Sequence, residues 1–480
     1  MEKKNKIIVS VLIGCLVAVI LGGGILWWVN EANSFKPLKA GPLATDAVIG
    51  NGGSTVQKGD YLYFVYGYVE RSEIKYKQNE YNQVKNYGAI YRTKLVNGVP
   101  QMEEAEDGTS WLKSMELVVP KIAAFDKTAL YIYGNHLFYT SPNNQKNRYG
   151  HLQTERVDFF RVNLNGANHK KIYTTSGEVS LENFTFVRGT NGVVSLVVRD
   201  GSSIYAIQAA GGRSSDFGIV TPITNKANSM AIPQVTSYYS DNADKIFSGI
   251  MSNIFYTELD DNGNSVLKAW NFSTRKESLS LTDGKIYSVI SLSNSTLLYT
   301  IALNSAFTAE GFVANNIETI EGGIAEQVTT GGIGQAYLPT TQVSGLGLDL
   351  NDYIISVINS KIFIETVNIA DMQLLSGDLA VNDIVAIRGT DIYFLAEGEL
   401  YRTSVGEPIC NGDCTCAIDC KTPINTLIER NSMMALDVNQ NYFAYAKAFT
   451  NNSGNTFTVI TLVNLSNGVE YHLGREADRN

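Results

Sequence analysis

A short strand pattern recurs along this chain of 480 residues and constrains its fold more than any other feature. In each clear copy an aromatic run follows directly after Asp or Asn, and these copies begin at Asp60, Asn135, Asp391 and Asn441. Aromatic and β-branched residues are typical of pleated strands with one buried face. A second strand-like run follows, often ending in a turn such as Asn97-Gly98. Because both central residues of the tightest hairpin turns need a positive φ, Asn-Gly is a strong hairpin signal.

The spacing of these copies indicates the architecture. They recur roughly every 40–70 residues, and a repeated all-β unit of about 50 residues is typical of blades arranged around a centre. No long segment shows the 3.6-residue apolar period of an amphipathic helix. The sequence therefore predicts an all-β domain over residues 54–475, a β-propeller of about seven or eight four-stranded blades.

Two segments interrupt the repeat. Residues 70–86 lie within the first unit, are rich in Lys, Glu, Asn and Tyr, and are predicted to extend a hairpin. Residues 309–339 are rich in Gly and are predicted to form a long loop between two blades.

An apolar run near the N-terminus, at residues 7–29, contains no charged residue. At 1.5 Å per residue, a helix of about twenty residues spans the ~30 Å hydrocarbon core of a bilayer. Three lysines precede the run, and positively charged flanks stay on the cytoplasmic side. The sequence thus predicts a single-pass cell-membrane protein with a cytoplasmic tail at residues 1–6, a transmembrane helix at 7–29, a linker at 30–53 and an extracytoplasmic bulk.

Two alternatives to the membrane anchor stay open. Cys15 ends a Leu-Ile-Gly-Cys run that resembles the lipidation site of a lipoprotein signal, although the apolar residues continue well beyond it. A cleaved signal peptide needs a small-residue cleavage site, and no A-x-A pattern follows Trp28. If the helix is retained, one stripe of small residues would let two copies pack closely as a homodimer: Ser10, Gly14, Ala18 and Gly22.

The charge of the chain argues against one class of partner. The net charge is −9, and the first thirty residues hold three lysines and one glutamate, which leaves −11 on the remainder. An acidic domain of this kind is a poor ligand for nucleic acid or anionic lipid. The predicted partners are the membrane, through the N-terminal helix, and a protein, peptide or glycan of the cell envelope.

Four cysteines outside the apolar run lie within eleven residues: Cys410, Cys414, Cys416 and Cys420. Outside the cytoplasm an even number of closely spaced cysteines favours disulfides, and four cysteines allow three pairings. Such short bridges would stiffen an exposed loop while adding little entropic stability. A zinc site of four thiolates is an alternative, although the spacing differs from that of a zinc ribbon, and free thiols are another.

Two groups of oxygen-bearing side chains are candidates for a cation. Asp260, Asn262 and Asn264 alternate as in a calcium loop, but the glycine and the bidentate glutamate of such a loop are missing, which favours a plain hairpin turn. An acidic cluster at residues 103–107 is predicted to be a solvated loop. We therefore assign neither a metal ligand nor a cofactor.

Catalytic motifs are incomplete. Ser110 and Lys113 match the S-x-x-K motif of penicillin-recognising enzymes, but K-T-G is missing and residues 116–119 have the pattern of a strand rather than a helix. The four histidines are well separated along the chain: His136, His151, His169 and His472. We assign no catalytic residue.

In the repeats, an Asp-x-Tyr-Phe run precedes a second strand that begins Ile/Leu-Tyr-Arg, as at Ile90 and Leu400. Over about residues 55–470 this pattern resembles bacterial extracytoplasmic propellers related to the YWTD type of the low-density-lipoprotein receptor, with Phe255-Tyr-Thr-Glu258 nearest to the tetrad. The resemblance implies a propeller that presents binding surfaces. We expect a membrane-anchored binding or scaffolding protein; the alternative is an envelope glycan hydrolase or lyase with carboxylates from several blades.

Overall fold

A computed structural model describes residues 53–69, 84–189, 192–231 and 253–281 with few gaps. It also describes residues 38, 48–49 and 80–81, and beyond residue 281 mainly the strands up to residue 478. The predicted transmembrane helix and its stripe of Ser10, Gly14, Ala18 and Gly22 lie outside these residues, as do Cys410, Cys414, Cys416 and Cys420. Within the described part, no helix is both long and apolar enough to cross a membrane.

The described residues form strands, turns and three short 3-10 helices, without an α-helix. The strands group into eight mainly antiparallel sheets of four or more strands, which we number 1 to 8 along the chain. Sheet 1 contains β2 (Thr55–Lys58), β3 (Tyr61–Val65), β6 (Ile90–Val96) and β10 (Glu116–Val119), with β7 (Val99–Pro100) beside β6. Sheet 2 contains β1 (Val48–Ile49), β11 (Leu130–Tyr133), β12 (His136–Pro142), β13 (Val157–Asn163) and β14 (Lys170–Thr174).

Sheets 3 to 5 each have four strands in chain order. Sheet 3 contains β15 (Phe184–Arg188), β16 (Val194–Asp200), β17 (Ser203–Ala210) and β18 (Val220–Thr224). Sheet 4 contains β19 (Ala227–Ala231), β20 (Asn253–Leu259), β21 (Ser265–Asn271) and β22 (Lys276–Leu281). Sheet 5 contains β23 (Ile286–Ser291), β24 (Thr296–Ala302), β25 (Ala309–Asn315) and β26 (Glu326–Thr330).

Sheets 6 and 7 repeat this plan, and sheet 8 departs from it. Sheet 6 contains β27 (Gln335–Tyr337), β28 (Tyr353–Ile358), β29 (Lys361–Thr366) and β30 (Ile369–Leu374). Sheet 7 contains β31 (Val381–Arg388), β32 (Asp391–Ala396), β33 (Glu399–Ser404) and β34 (Thr422–Thr426). Sheet 8 contains β35 (Ala435–Leu436), β36 (Tyr442–Thr450), β37 (Thr456–Asn464) and β38 (Glu470–His472), followed by β9 (Ser110–Leu112) and β8 (Met102–Glu104).

Consecutive sheets pack on each other, and the last packs on the first. Strand β2 contacts β11, β14 contacts β17, β19 contacts β23, β26 contacts β30, and β31 contacts both β28 and β35. One apolar core joins sheets 1, 2 and 8, with Val65, Leu137 and Val459 among its buried members. Consecutive four-stranded meanders closed in this way have the topology of a β-propeller. The prediction of an all-β fold of the propeller type is therefore confirmed.

Sheet 8 closes the structure with a segment from near the start of the chain. Strand β9 pairs with β38 in parallel, opposite His472, and places the side chain of Trp111 fully inside the protein. The Trp111 ring lies 4.9 Å from that of Phe449 and 5.0 Å from that of His472, measured between centroids. Its indole N–H donates a hydrogen bond of 2.8 Å to Thr109 Oγ1. Residues 102–112 and the C-terminal strands β35 to β38 thus share one sheet.

The hydroxyl of Tyr87 makes a second contact between the N-terminal part of the domain and sheet 8. It donates to the carbonyl oxygen of Thr458 at 2.6 Å and accepts from the backbone N–H of Thr458 at 2.6 Å. The ring lies against Gly67, whose φ is +89°, and a Cβ at this position would be 2.2 Å from the ring. Glycine therefore permits both the backbone conformation and the close approach of the ring.

Local predictions are confirmed where the strand signal was strong. The predicted strand at residues 116–119 is β10. Within the segment predicted to extend a hairpin, β4 (Glu80–Tyr81) and β5 (Val84–Lys85) pair with each other as a separate two-stranded sheet. Asn97 and Gly98 both have a positive φ, as the turn prediction requires, whereas at Asn165-Gly166 only the glycine does.

The predicted loop at residues 309–339 is wrong, because β25, β26 and β27 lie within it. Glycines lower the strand propensity of this segment, but pairing with neighbouring strands outweighs that preference. In the segment predicted as a linker, β1 pairs with β11, and the backbone N–H of Leu38 donates to the carbonyl of Asn165 at 2.8 Å. Part of this segment is therefore attached to sheet 2.

Candidate functional site

The interface between sheets 3 and 4 begins as an ordinary apolar contact. Side chains at alternate positions of sheet 3 point toward sheet 4, as expected for strands with a two-residue period. They pack there as one buried cluster: Val187, Val197, Ile204 and Ala206 against Ala227, Met230, Ile254, Tyr256, Trp270 and Phe272.

At one end of this interface, polar side chains replace the apolar ones. Ser195 on β16 is paired with Gln208 on β17, and Thr221 on β18 is paired with Ala206. These residues, together with the β15–β16 turn, the β17–β18 loop and the β21–β22 turn, enclose a cavity of about 210 Å³. Its lining consists of Gly189, Val193, Ser195, Ala206, Gln208, Asp216, Ile219, Thr221, Trp270, Phe272 and Arg275. We call it the inter-sheet cavity.

Two aromatic rings form the wall on the side of sheet 4. The rings of Trp270 and Phe272 meet edge to face, with centroids 5.2 Å apart and planes at 89°. Both residues are buried, at 6% and 5% exposure, so their positions are set by the core below them. Their rings are a rigid apolar surface beside a polar rim, which is the usual composition of a small-molecule site.

Three polar groups of differing charge line the cavity. Gln208 is buried, and its Nε2 donates to the carbonyl oxygen of Gly211 at 3.0 Å. The Asp216 carboxylate accepts a hydrogen bond of 2.9 Å from the hydroxyl of Ser215. Among the described side chains no ion pair joins Asp216 to Arg275. An anionic and a cationic group therefore both line the cavity without neutralising each other directly.

The loop that carries Asp216 is held in place from both sides. Gly211 has a φ of +70°, and a Cβ there would lie 2.3 Å from the carbonyl oxygen of Gly192. On the other side the Arg161 guanidinium lies 4.3 Å from the centroid of the Phe217 ring. Arg161 also donates to the carbonyl of Ala209 at 2.7 Å, and burial lowers its pKa. Sheet 2 thus contributes to the shape of a cavity between sheets 3 and 4.

Arg275 adopts an unusual backbone conformation, with a φ of +56°. Its N–H donates to the carbonyl of Asn271 at 2.8 Å, and the Asn271 side chain accepts from the Thr274 N–H at 2.9 Å. These bonds hold the hairpin turn closed. A non-glycine residue in the left-handed region is strained, and such residues cluster at functional sites.

Of the predicted cation ligands, Asp260 and Asp107 serve turns, Glu103 and Glu104 lie on β8, and Asn264 is outside the described residues. The Asp260 carboxylate accepts from the Asn262 N–H at 2.9 Å, as expected for a plain hairpin turn. In the acidic cluster, Asp107 accepts from the Thr109 N–H at 3.1 Å and from its hydroxyl at 2.5 Å. Within the described residues, no three His, Cys, Asp or Glu side chains are placed to hold a metal ion.

The described structure places His472 in a different sheet from His136 and His169. His136 and His169 belong to sheet 2, and burial lowers the pKa of each to about 4. A second cause is a neighbouring cation, Arg161 for His136 and Lys121 for His169. His472 is buried in sheet 8 and hydrogen-bonds Thr461. His136 and His169 therefore belong to the packing of sheet 2, and His472 belongs to the packing of sheet 8.

The residues of the inter-sheet cavity form no recognisable motif in the sequence. The available signal was weak: Ser195, Gln208 and Thr221 interrupt the apolar faces of three strands, but polar residues at strand ends are common. Chemically, the cavity offers hydrogen bonds, an aromatic wall and two charges. Of its lining residues only Asp216 carries a carboxylate, whereas glycoside hydrolysis ordinarily uses two.

No protein-family model matches the sequence, and no curated protein matches it. Among solved structures, TolB from Acinetobacter baumannii is similar at 15% identity and a TM-score of 0.30, over 52% of this chain and 57% of TolB. The β-propeller domain of the Trilobed protease from Pyrococcus furiosus is similar at 9% identity and a TM-score of 0.37, over 89% of this chain and 98% of that domain.

Dipeptidyl peptidase 4 from Porphyromonas gingivalis is similar at 11% identity and a TM-score of 0.44, over 90% of this chain and 62% of the peptidase. The chain thus spans less than two thirds of the length of TolB and of this peptidase. Because all three TM-scores are below 0.5, the fold assignment above rests on the sheet topology alone.

Proposed function

We propose that this protein is a membrane-anchored, extracytoplasmic β-propeller of eight blades that binds a small polar group of a cell-envelope polymer. The inter-sheet cavity is the observation that carries this proposal. Its volume of about 210 Å³ is below the roughly 300–1,000 Å³ of pockets for drug-sized ligands, so it suits one sugar ring or one amino-acid residue of a longer polymer.

The eight sheets of the described part support a count of eight blades, one per sheet. The charge-free apolar run at residues 7–29, with lysines before it, supports an anchor that leaves the propeller outside the cytoplasm. A stripe of Ser10, Gly14, Ala18 and Gly22 would allow two anchors to associate. Disulfides between Cys410, Cys414, Cys416 and Cys420 fit the oxidising side of the membrane.

Filling the inter-sheet cavity is expected to weaken binding strongly without unfolding the protein. Ser195 is half-buried in the wall, so Ser195→Leu adds apolar volume where a ligand would lie. Full-length protein in detergent would be incubated with soluble fragments released from the envelope, and retained fragments identified by mass spectrometry. We expect retention to fall about tenfold or more in this variant.

The matched control is Ser203→Leu, a half-buried serine at the opposite end of the same sheet. Retention in this control should equal that of the wild-type protein. Equal retention in the Ser195→Leu variant, or no retained fragment with the wild-type protein, would show that the cavity is not the binding site.

The anchored topology predicts the result of protease treatment of intact cells. With the N-terminus inside and the propeller outside, added protease should remove most of the polypeptide while a cytoplasmic control protein stays whole. A variant with three acidic residues in place of Lys3, Lys4 and Lys6 should show reduced export, because the flanking positive charge is lost. Full protection of the chain on intact cells, with digestion only after lysis, contradicts the proposed topology.

A further inference from the structure

Arg275 lines the inter-sheet cavity in a conformation that the turn alone does not favour. Its φ of +56° lies in the region where glycine or asparagine is usual, so the arginine side chain is present at a cost in backbone energy. Backbone strain of this kind is found at functional sites, and Arg275 is one of the residues that line the cavity. Replacing Arg275 with glycine is therefore expected to weaken binding without lowering the stability of the protein.

The charges around this end of sheets 3 and 4 are mainly positive, although the chain as a whole is acidic. Arg188 ends β15, Arg213 lies on the β17–β18 loop, and Arg275 and Lys276 lie at the β21–β22 turn. The carboxylates at this end are Asp216, which lines the cavity, and Glu277, which shares the ammonium of Lys268 with Glu258, each at 3.0 Å. Local positive charge in an acidic protein attracts an anion and fixes its orientation.

The remaining lining groups suit a hydroxylated ring. Trp270 and Phe272 present aromatic surface, on which the C–H face of a sugar can lie. The Ser195 and Thr221 hydroxyls and the Gln208 amide can each donate or accept a hydrogen bond, which matches hydroxyl and acetamido groups. A guanidinium matches the planar geometry of a carboxylate, with which it can form two parallel hydrogen bonds.

We infer that the ligand of the inter-sheet cavity is an acidic sugar, whose carboxylate binds Arg275 and whose ring packs on the Trp270 wall. This inference rests on the proposed binding function and specifies its ligand class. The carboxylate supplies the counter-charge at the basic end of sheets 3 and 4, and the hydroxyl-bearing lining residues bind the ring. A neutral sugar of the same shape would lose the contact with Arg275.

Two sugars that differ by one carboxylate provide the test. N-acetylmuramic acid carries a lactyl carboxylate on the ring of N-acetylglucosamine, so the pair isolates the charge. Binding of each to the full-length protein in detergent would be measured by calorimetry at low salt. We expect the acidic sugar to bind at least tenfold more tightly, with the advantage falling as salt is added.

The variant Arg275→Gly separates binding from folding. Glycine adopts a positive φ without strain, so the thermal midpoint should equal or exceed that of the wild-type protein. The preference for the acidic sugar should be lost. The control is Arg213→Gly, which removes the same charge from an exposed position on the β17–β18 loop outside the cavity lining, and it should keep at least half of the preference.

Each other outcome overturns a distinct statement. If both sugars bind equally, the cavity binds sugars but Arg275 does not recognise a carboxylate, and the inference fails while the proposed function stands. If acetyl-D-alanyl-D-alanine binds better than its C-terminal amide and neither sugar binds, the carboxylate belongs to a peptide. If neither the probes nor envelope fragments bind, the proposed function fails together with the inference.

Discussion

Replacing Trp111 with alanine is expected to lower the free energy of unfolding by about 3–5 kcal/mol, the range for a buried tryptophan truncated in a packed core. Trp111 has no exposed surface and packs against Phe449 and His472 in sheet 8. Its strand, β9, is held by a short parallel pairing with β38, so side-chain packing carries much of this junction. Loss of the ring therefore weakens the contact that joins the N-terminal part of the domain to the last sheet.

Denaturant unfolding of the full-length protein measures this effect. It should be followed by far-ultraviolet circular dichroism, because fluorescence would change with the tryptophan that is replaced. Val96→Ala is the control, because Val96 is 46% exposed on β6 and its truncation should cost less than about 0.5 kcal/mol. Trp111→Phe should retain part of the stability, since a smaller ring still fills part of the site. A loss below about 1 kcal/mol for Trp111→Ala would mean that sheet 8 does not depend on this ring.

Replacing Tyr87 with phenylalanine is expected to cost about 2–4 kcal/mol, although only one oxygen atom is removed. That hydroxyl serves both the N–H and the carbonyl of Thr458 at 2.6 Å, across 371 residues of chain. A fully buried backbone group left without a partner costs about 1–3 kcal/mol, and the groups of Thr458 are partly buried, so we expect about 1–2 kcal/mol for each. Burial raises the pKa of Tyr87, so the hydroxyl stays protonated and keeps its donor role at neutral pH.

Tyr149→Phe is the matched control for this change, because Tyr149 is 69% exposed and its hydroxyl is solvated in either state. Its stability should equal that of the wild-type protein. Hydrogen exchange would locate the effect: the Thr458 amide should exchange faster in Tyr87→Phe, while amides of sheet 3 remain protected. Unchanged protection at Thr458 would show that water or another group replaces the hydroxyl.

Local patterns predicted much of the fold because they report on single hairpins. The aromatic runs after Asp60 and Asn135 are the strands β3 and β12, and Asn97-Gly98 forms the expected turn with two positive φ angles. The alternation of apolar and polar side chains along a strand can be recognised from a few consecutive residues. The loop prediction for residues 309–339 is wrong because it used local composition alone. Strands such as β25 form by pairing with a neighbouring strand, which glycine content does not reveal.

The candidate site could not be predicted in the same way. Its wall combines Gln208, Trp270 and Arg275, which come from two sheets and from a turn whose conformation is unfavourable for arginine. The acidic cluster and the S-x-x-K match drew attention to residues 103–113, but those residues serve the closure of sheet 8 through β8 and β9. Motif spacing describes neighbours along the chain, whereas a cavity depends on neighbours in space.

The amino-acid sequence by itself determined that the chain forms a repeated all-β domain, because strand period and turn chemistry act over a few residues. The tertiary structure alone decided which strands share a sheet, that Trp111 joins the C-terminal strands, and that a basic, aromatic cavity forms between sheets 3 and 4. Those features arise from packing between segments far apart in the chain, where burial and close contact outweigh any local preference.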